Sequence, residues 1–411
     1  RPASCHSWWP NAGIALESAV CFRERASKNR VSKATCASYL TVLFKGRGAN
    51  GGLLVTTVPR TGLILQRREV GARASVVAWS DLIRRGVGSM NEVISRPSRA
   101  KRNRLCWILL IGAVLIAGAV ARITFWHWRP VGEGPAGPVV SRDAFRQEWT
   151  TQEVLLFGIG DSVTAGLGAK SADHSYFNRL VRNPPDEFSE MQGLCLSTVI
   201  PNLRAQNSAI SGSTSLQHLE VLKDRLQPQD ESTLGIVVMT TGGNDLIHNY
   251  GRSAPKEGAM YGATLEQAKP WIEQFRDRLD TMLDLIDERF PRGSHVFLAD
   301  IYDPTDGVGD APSVFLPHWP DGLAIHAEYN KIIHAAADER ENVHLVPLYE
   351  TFLGHGSHCR QFWRNTYRAD DPHYWYYHNI EDPNDRGYDA IRRIFLKEIA
   401  RVVPGPDATM F

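Results

Sequence analysis

Cysteine is scarce in this chain, at six residues in 411, and three of the six (Cys5, Cys21 and Cys36) crowd into the first 36 positions. That is too few for a disulfide framework. Beyond the apolar run described below only Cys195 and Cys359 remain, free to form one bridge or to stay as two buried thiols. Methionine is equally sparse, and none precedes Met90. Net charge is nearly absent at +1, but the balance is local. Residues 1–104 hold 19 Lys+Arg against 5 Asp+Glu, and the remainder 27 against 40. A basic arm of this kind ordinarily points to nucleic acid or membrane. Residues 1–89, however, show no sustained helical or strand period. They read as a disordered or non-native upstream extension with the start at Met90, and no nucleic-acid partner is expected.

Long uncharged runs are also rare, and the one present is informative. Arg96, Arg99, Lys101, Arg102 and Arg104 precede an apolar stretch over 105–121, with Trp126 and Trp128 after it. The stretch is about long enough to span a bilayer, and the basic flank places its amino end in the cytoplasm. We therefore expect a basic region plus signal anchor over 90–129, membrane contact through 105–121, and everything after residue 130 outside the cytoplasm. Ala119-Val120-Ala121 would release a secreted form if cleaved. Residues 130–149, rich in Gly and Pro at their start, read as a linker.

From residue 150 to 403, short apolar runs alternate with helical patterns, which predicts βαβ units and a mainly parallel five-stranded sheet. The strand candidates are 154–159, 203–210, 234–240, 295–301 and 344–346. The clearest helices are 269–290 and 385–402, with Pro270 taken to lie in a first turn. Residues 404–411 read as a tail.

The chemistry gathers around Gly158-Ile159-Gly160-Asp161-Ser162 at the end of the first strand. The chain lacks the third glycine of a dinucleotide fingerprint and the spacing of a phosphate loop. It also lacks the G-x-S-x-G elbow, because position 164 is threonine. Gly160 permits a sharp turn that leaves Ser162 reachable as a nucleophile. After the second strand, Gly212 offers a backbone N–H. After the third, Gly242-Gly243-Asn244-Asp245 offers a neutral amide donor in Asn244, with Asp245 expected to bond local backbone N–H groups.

These three blocks, in this order, resemble the SGNH hydrolases, also called the GDSL esterase/lipase family, over residues 150–403. The resemblance implies a flavodoxin-like three-layer α/β/α sandwich. It also implies Ser162 as nucleophile and an oxyanion hole from Ser162 N–H, Gly212 N–H and the Asn244 side chain. The implied activity is hydrolysis of a small-molecule, glycan or lipid ester through an acyl-serine, with no cofactor and no metal.

The fourth block departs from the family's Asp-x-x-His-Pro-Asn. Here Asn379 and Asp382 stand where the aspartate and histidine belong. A free carboxylate is a poor substitute for imidazole. Asp370 and His373 keep the Asp-x-x-His spacing and are the expected partners of Ser162, with His378 the alternative base. His355 and His358 lie on a Gly-rich turn and are expected at the pocket mouth rather than on a metal. The displaced block also leaves open a catalytically weak module that binds an acylated glycan or lipid.

Overall fold

The computed structural model describes residues 99–404. The expectations for 1–89 and for the tail lie outside these residues. Helix α1, Arg99–Arg122, carries the apolar run and passes into a single turn at Ile123–His127. Residues 102–127 are long and apolar enough to cross a membrane, and none of the helix's apolar face is buried.

The body is one parallel sheet. Its strands are β1 (Glu153–Ile159), β2 (Leu203–Asn207), β3 (Thr233–Thr240), β4 (Ser294–Ala299) and β5 (Val343–Val346), in the order β2-β1-β3-β4-β5. The helices used below are α2 (Ser162–Ala165), α3 (Ser215–Arg225), α4 (Gly243–Ile247), α5 (Leu265–Arg289), α6 (Gly322–Glu339) and α7 (Asp385–Val402).

Alternation along the strands creates three layers, because successive side chains face opposite sides. Val154 and Leu156 of β1 join Ile236 and Val238 under α7, against Tyr388, Ile391 and Phe395. Leu155, Phe157 and Ile159 point the other way, joining Val237 and Met239 under α5 and α6, against Phe275, Leu279 and Tyr329. The central strands are hydrophobic on both faces for this reason. The edge strand β2 is mostly exposed and ends at Asn207, so 208–210 leaves the sheet early.

Helix α5 also begins earlier than its apolar stripe suggests. Thr264 and Gln267 form a capping box, which places Pro270 in the second turn and leaves the Glu266 carbonyl without its usual N–H partner. Within α7, Arg392 is fully buried between Glu187 (2.9 Å) and Asp389 (2.7 Å).

Candidate active site

At the carboxyl end of β1 the backbone turns at Gly160, with φ +151°. A Cβ there would lie 2.3 Å from Thr240 Oγ1 and 2.6 Å from the Thr240 carbonyl, so only glycine fits. Asp161 then caps α2, accepting from Val163 N (3.0 Å) and from Thr240 Oγ1 (3.0 Å). Thr164 Oγ1 sits between Thr240 Oγ1 (2.8 Å) and Tyr176 OH (2.7 Å). Ser162, the first residue of α2, is thereby held on a buried frame.

The second block closes over this turn. Ile210 N donates to the Gly160 carbonyl (3.0 Å), and Asn207 Nδ2 donates to the Thr164 carbonyl (2.8 Å). Ser213 Oγ and Thr241 Oγ1 grip the two ring nitrogens of His218 at 2.8 and 2.9 Å. Burial pushes that imidazole down to about 3, so it serves this frame as a neutral ring. Gly212 is exposed in the left-handed region, at φ +80°. Asn244 Nδ2 donates to the Ser213 carbonyl (2.9 Å), which spends one of its two amide hydrogens and fixes the direction of the other. Asp245 bonds its own backbone N–H, and it also reaches well beyond its loop. It is fully buried and accepts from Ser215 N (2.8 Å) and from the Ser215 hydroxyl, 30 positions away, because α3 presents its first turn to it.

In the fourth block, Asn384 caps α7 by accepting from the N–H groups of Arg386 and Gly387, both at 3.0 Å. The cap leads the chain back so that Asp382, 1% exposed, lies against the Ser162 hydroxyl. Burial raises the Asp382 carboxyl, while Ser162 and the Asn379 amide hold it down in part. Asp382 Oδ1 is buried with no hydrogen-bond partner among the described residues. Glu381 lines a cavity together with Ser162, accepts from the Tyr250 hydroxyl, and is pushed up to about 8 by burial first and then by Asp382 and Asp161. Asp161 itself is pushed up to about 6 by burial. Ile380, a β-branched residue at φ +66°, strains the turn that delivers both carboxyls.

The expected base pair sits elsewhere. His373 Nδ1 bonds Asp371 Oδ1 (2.5 Å) rather than Asp370, which is exposed. Arg386 (2.6 Å) and Trp375 (3.2 Å) donate to the other oxygen of Asp371. His373, Asp370 and His355 line a second cavity that shares no residue with the cavity of Ser162. The one-residue difference between Asp370 and Asp371 follows from Arg386 and Trp375, which claim Asp371 and leave Asp370 in solvent. His378 is exposed with its ring against Tyr377. The mouth role expected for His355 and His358 is also corrected: His355 stacks on Trp375 at 3.4 Å, and His358 bonds Asp310 at 2.8 Å. Cys195 and Cys359 are free buried thiols.

The cavity of Ser162 has a volume of about 170 Å³. Leu246, Ile301, Val314, Leu316 and Trp319 give it a largely apolar wall, with Ser162 and Asn244 at the polar end. An apolar pocket with a few convergent polar groups is the usual form of a small-ligand site.

The sequence profile of the GDSL-like Lipase/Acylhydrolase family matches residues 159–390. The chain belongs to this family. It is accordingly a hydrolase of ester bonds. Solved structures align with it, among them the following three. A G-D-S-L family protein of Veillonella parvula is 13% identical, with 61% of this chain and 100% of that chain covered and a TM-score of 0.39. The extracellular lipase of Streptomyces rimosus is 17% identical, covering 60% and 99% with a TM-score of 0.39. A catalytic mutant of an acetylxylan esterase from Geobacillus stearothermophilus is 18% identical, covering 61% and 94% with a TM-score of 0.35. No curated protein matches the chain.

Proposed function

We propose that this GDSL hydrolase is a serine esterase in which the Asp382 carboxylate, rather than an imidazole, receives the Ser162 proton. The observation that carries this reading is a buried carboxyl beside Ser162 whose Oδ1 has no hydrogen-bond partner among the described residues and which burial raises above its ordinary pKa. Burial makes this carboxylate a stronger base than a free aspartate, which answers the main objection to it. Ser162 Oγ attacks the ester carbonyl as its proton passes to Asp382. The oxyanion is met by Ser162 N–H, Gly212 N–H and the free amide hydrogen of Asn244. Asp382 returns the proton to the departing alkoxide, and water then cleaves the acyl-serine by the same route. The substrate is a small-molecule, glycan or lipid ester. The domain spans 150–403 and is held outside the cytoplasm by 105–121, or is secreted if cleaved near Ala121.

Fluorophosphonate labelling and hydrolysis of a p-nitrophenyl ester test the reading together. Both should require Ser162 and collapse in Asp382→Asn, while His373→Ala and His378→Ala remain close to wild type. If His373→Ala is the crippling change, the imidazole and Asp370 or Asp371 must reach Ser162 and the carboxylate reading is wrong. The replacement of imidazole by carboxyl also favours a second reading, a module that binds acylated glycan or lipid without turnover. An unlabelled Ser162 in folded protein would select it.

A further inference from the structure

At the outer end of α1 the chain is fastened to the catalytic domain. Phe125 meets Trp363 edge-on with ring centroids 5.0 Å apart, and Phe362 at 5.8 Å. Trp126 reaches Trp363 at 5.7 Å, and Gln361 Nε2 donates to the Phe125 carbonyl at 3.1 Å. The partners lie 236 positions apart in sequence, so these contacts set where the domain stands relative to the end of the helix. Yet the rings are not enclosed. Phe362 is 63% exposed, Trp363 48% and the neighbouring Trp128 56%. The Arg360 guanidinium lies over the Trp128 ring at 4.3 Å, and Arg122 is exposed one turn back along α1.

We propose that Phe362 and Trp363 are a second membrane contact, which seats the catalytic domain in the headgroup layer of a phospholipid bilayer beside the end of α1. The proposal rests on the membrane reading of residues 105–121. If that stretch spans the hydrocarbon, Trp126 stands at the interface, and a side chain packed directly on its ring is at the same depth. Aromatic rings with one apolar and one wet end are suited to that layer. Arg360 and Arg122 supply the planar, bidentate donors that lipid phosphates accept. Residues 130–149, expected as a linker, pack into the domain through Ala136, Val140, Phe145 and Trp149, so the catalytic domain would be held against the bilayer.

The test uses the full chain in phosphatidylcholine vesicles, with and without lipids brominated near the carbonyl end of their acyl chains. Trp363→Phe and Trp126→Phe each remove one indole while keeping a ring, and circular dichroism confirms the fold of each variant. The emission lost on removing Trp363 should be emission that the brominated lipids quench, as with Trp126. If the Trp126 signal is quenched and the Trp363 signal is not, the membrane reading stands and this proposal is overturned. If the Trp363 signal is shielded only when vesicles carry several chains, a second copy covers the patch, which also overturns it. If neither signal is quenched and alkaline carbonate strips the chain from the vesicles, the membrane reading itself fails and takes the proposal with it.

Discussion

Glu381→Gln should make the protein more stable, and by an amount that grows with pH. The side chain lines the cavity of Ser162 with burial, Asp382 and Asp161 all opposing its ionisation, which moves it from its ordinary 4.5 to about 8. Between those two values the unfolded chain has released this proton and the folded chain has kept it. Stability attributable to this residue therefore falls as pH rises from about 4.5 to about 8 and then levels off. The whole displacement corresponds to at most about 5 kcal/mol. The group is only partly buried on a strained turn, and relaxation of that turn toward water reduces the expected effect to about 1–3 kcal/mol. Glutamine keeps an acceptor for the Tyr250 hydroxyl and carries no proton to lose. Urea unfolding of both proteins at pH 5 and pH 8.5 should show a small difference at the lower pH and a difference of about 1–3 kcal/mol at the higher. Asp161 and Asp382 titrate in both proteins and largely cancel. A stability difference that is the same at both pH values would refute the reasoning, since the mutation would then act through shape alone.

Three further outcomes follow from the geometry. Asp382→Asn should lower kcat on a soluble p-nitrophenyl ester by about a thousandfold or more. The wild-type rate should rise with pH through a limb lying above the ordinary aspartate range, and the variant should lack that limb. Gly160→Ala forces a Cβ to within 2.3 Å of Thr240 Oγ1 at a φ that side chains avoid; it should cost more than about 2 kcal/mol in a thermal melt and disable Ser162 in the fraction that folds. Arg392→Met leaves Glu187 buried without its guanidinium and strips one partner from Asp389. Urea unfolding should show a loss of about 3–5 kcal/mol, with no change in the pH–rate profile of the folded enzyme.

The fold was legible because its signals are local. The apolar runs of β1 and β3 are hydrophobic on both faces, as a sheet covered on both sides requires, and α7 shows its stripe without interruption. The misplaced boundaries had equally local causes. The first turn of α5 is polar, so its start is marked by the Thr264 and Gln267 cap rather than by hydrophobic period. After Asn207 the chain runs on to a strand former, Ile210, but Ser208 and Ile210 turn inward to bond the Gly158 and Gly160 carbonyls. The buried ion network of Arg392 could not be anticipated from sequence, because Glu187 is contributed by a loop 205 positions away.

At the site, the placement of the fourth block decided more than its chemistry did. Asp-x-x-His spacing drew attention to Asp370 and His373, but spacing along a loop does not say which way the loop faces. Arg386 and Trp375 converge on Asp371 and so anchor that stretch to a different cavity. The better signal was Pro383-Asn384 followed by Gly387-Tyr388. Asn384 is the cap that starts α7, and the Tyr388 hydroxyl donates to the Leu167 carbonyl (2.7 Å), just past the helix of Ser162. Gly387 is required because a Cβ would lie 2.3 Å from the Trp375 carbonyl. Two residues before that cap this chain has an aspartate, Asp382. An ordinary, solvated aspartate is too weak a base for this role, whereas burial raises the Asp382 carboxyl. Position relative to the helix cap, read together with burial, thus points to Asp382 where residue type alone had pointed away from it.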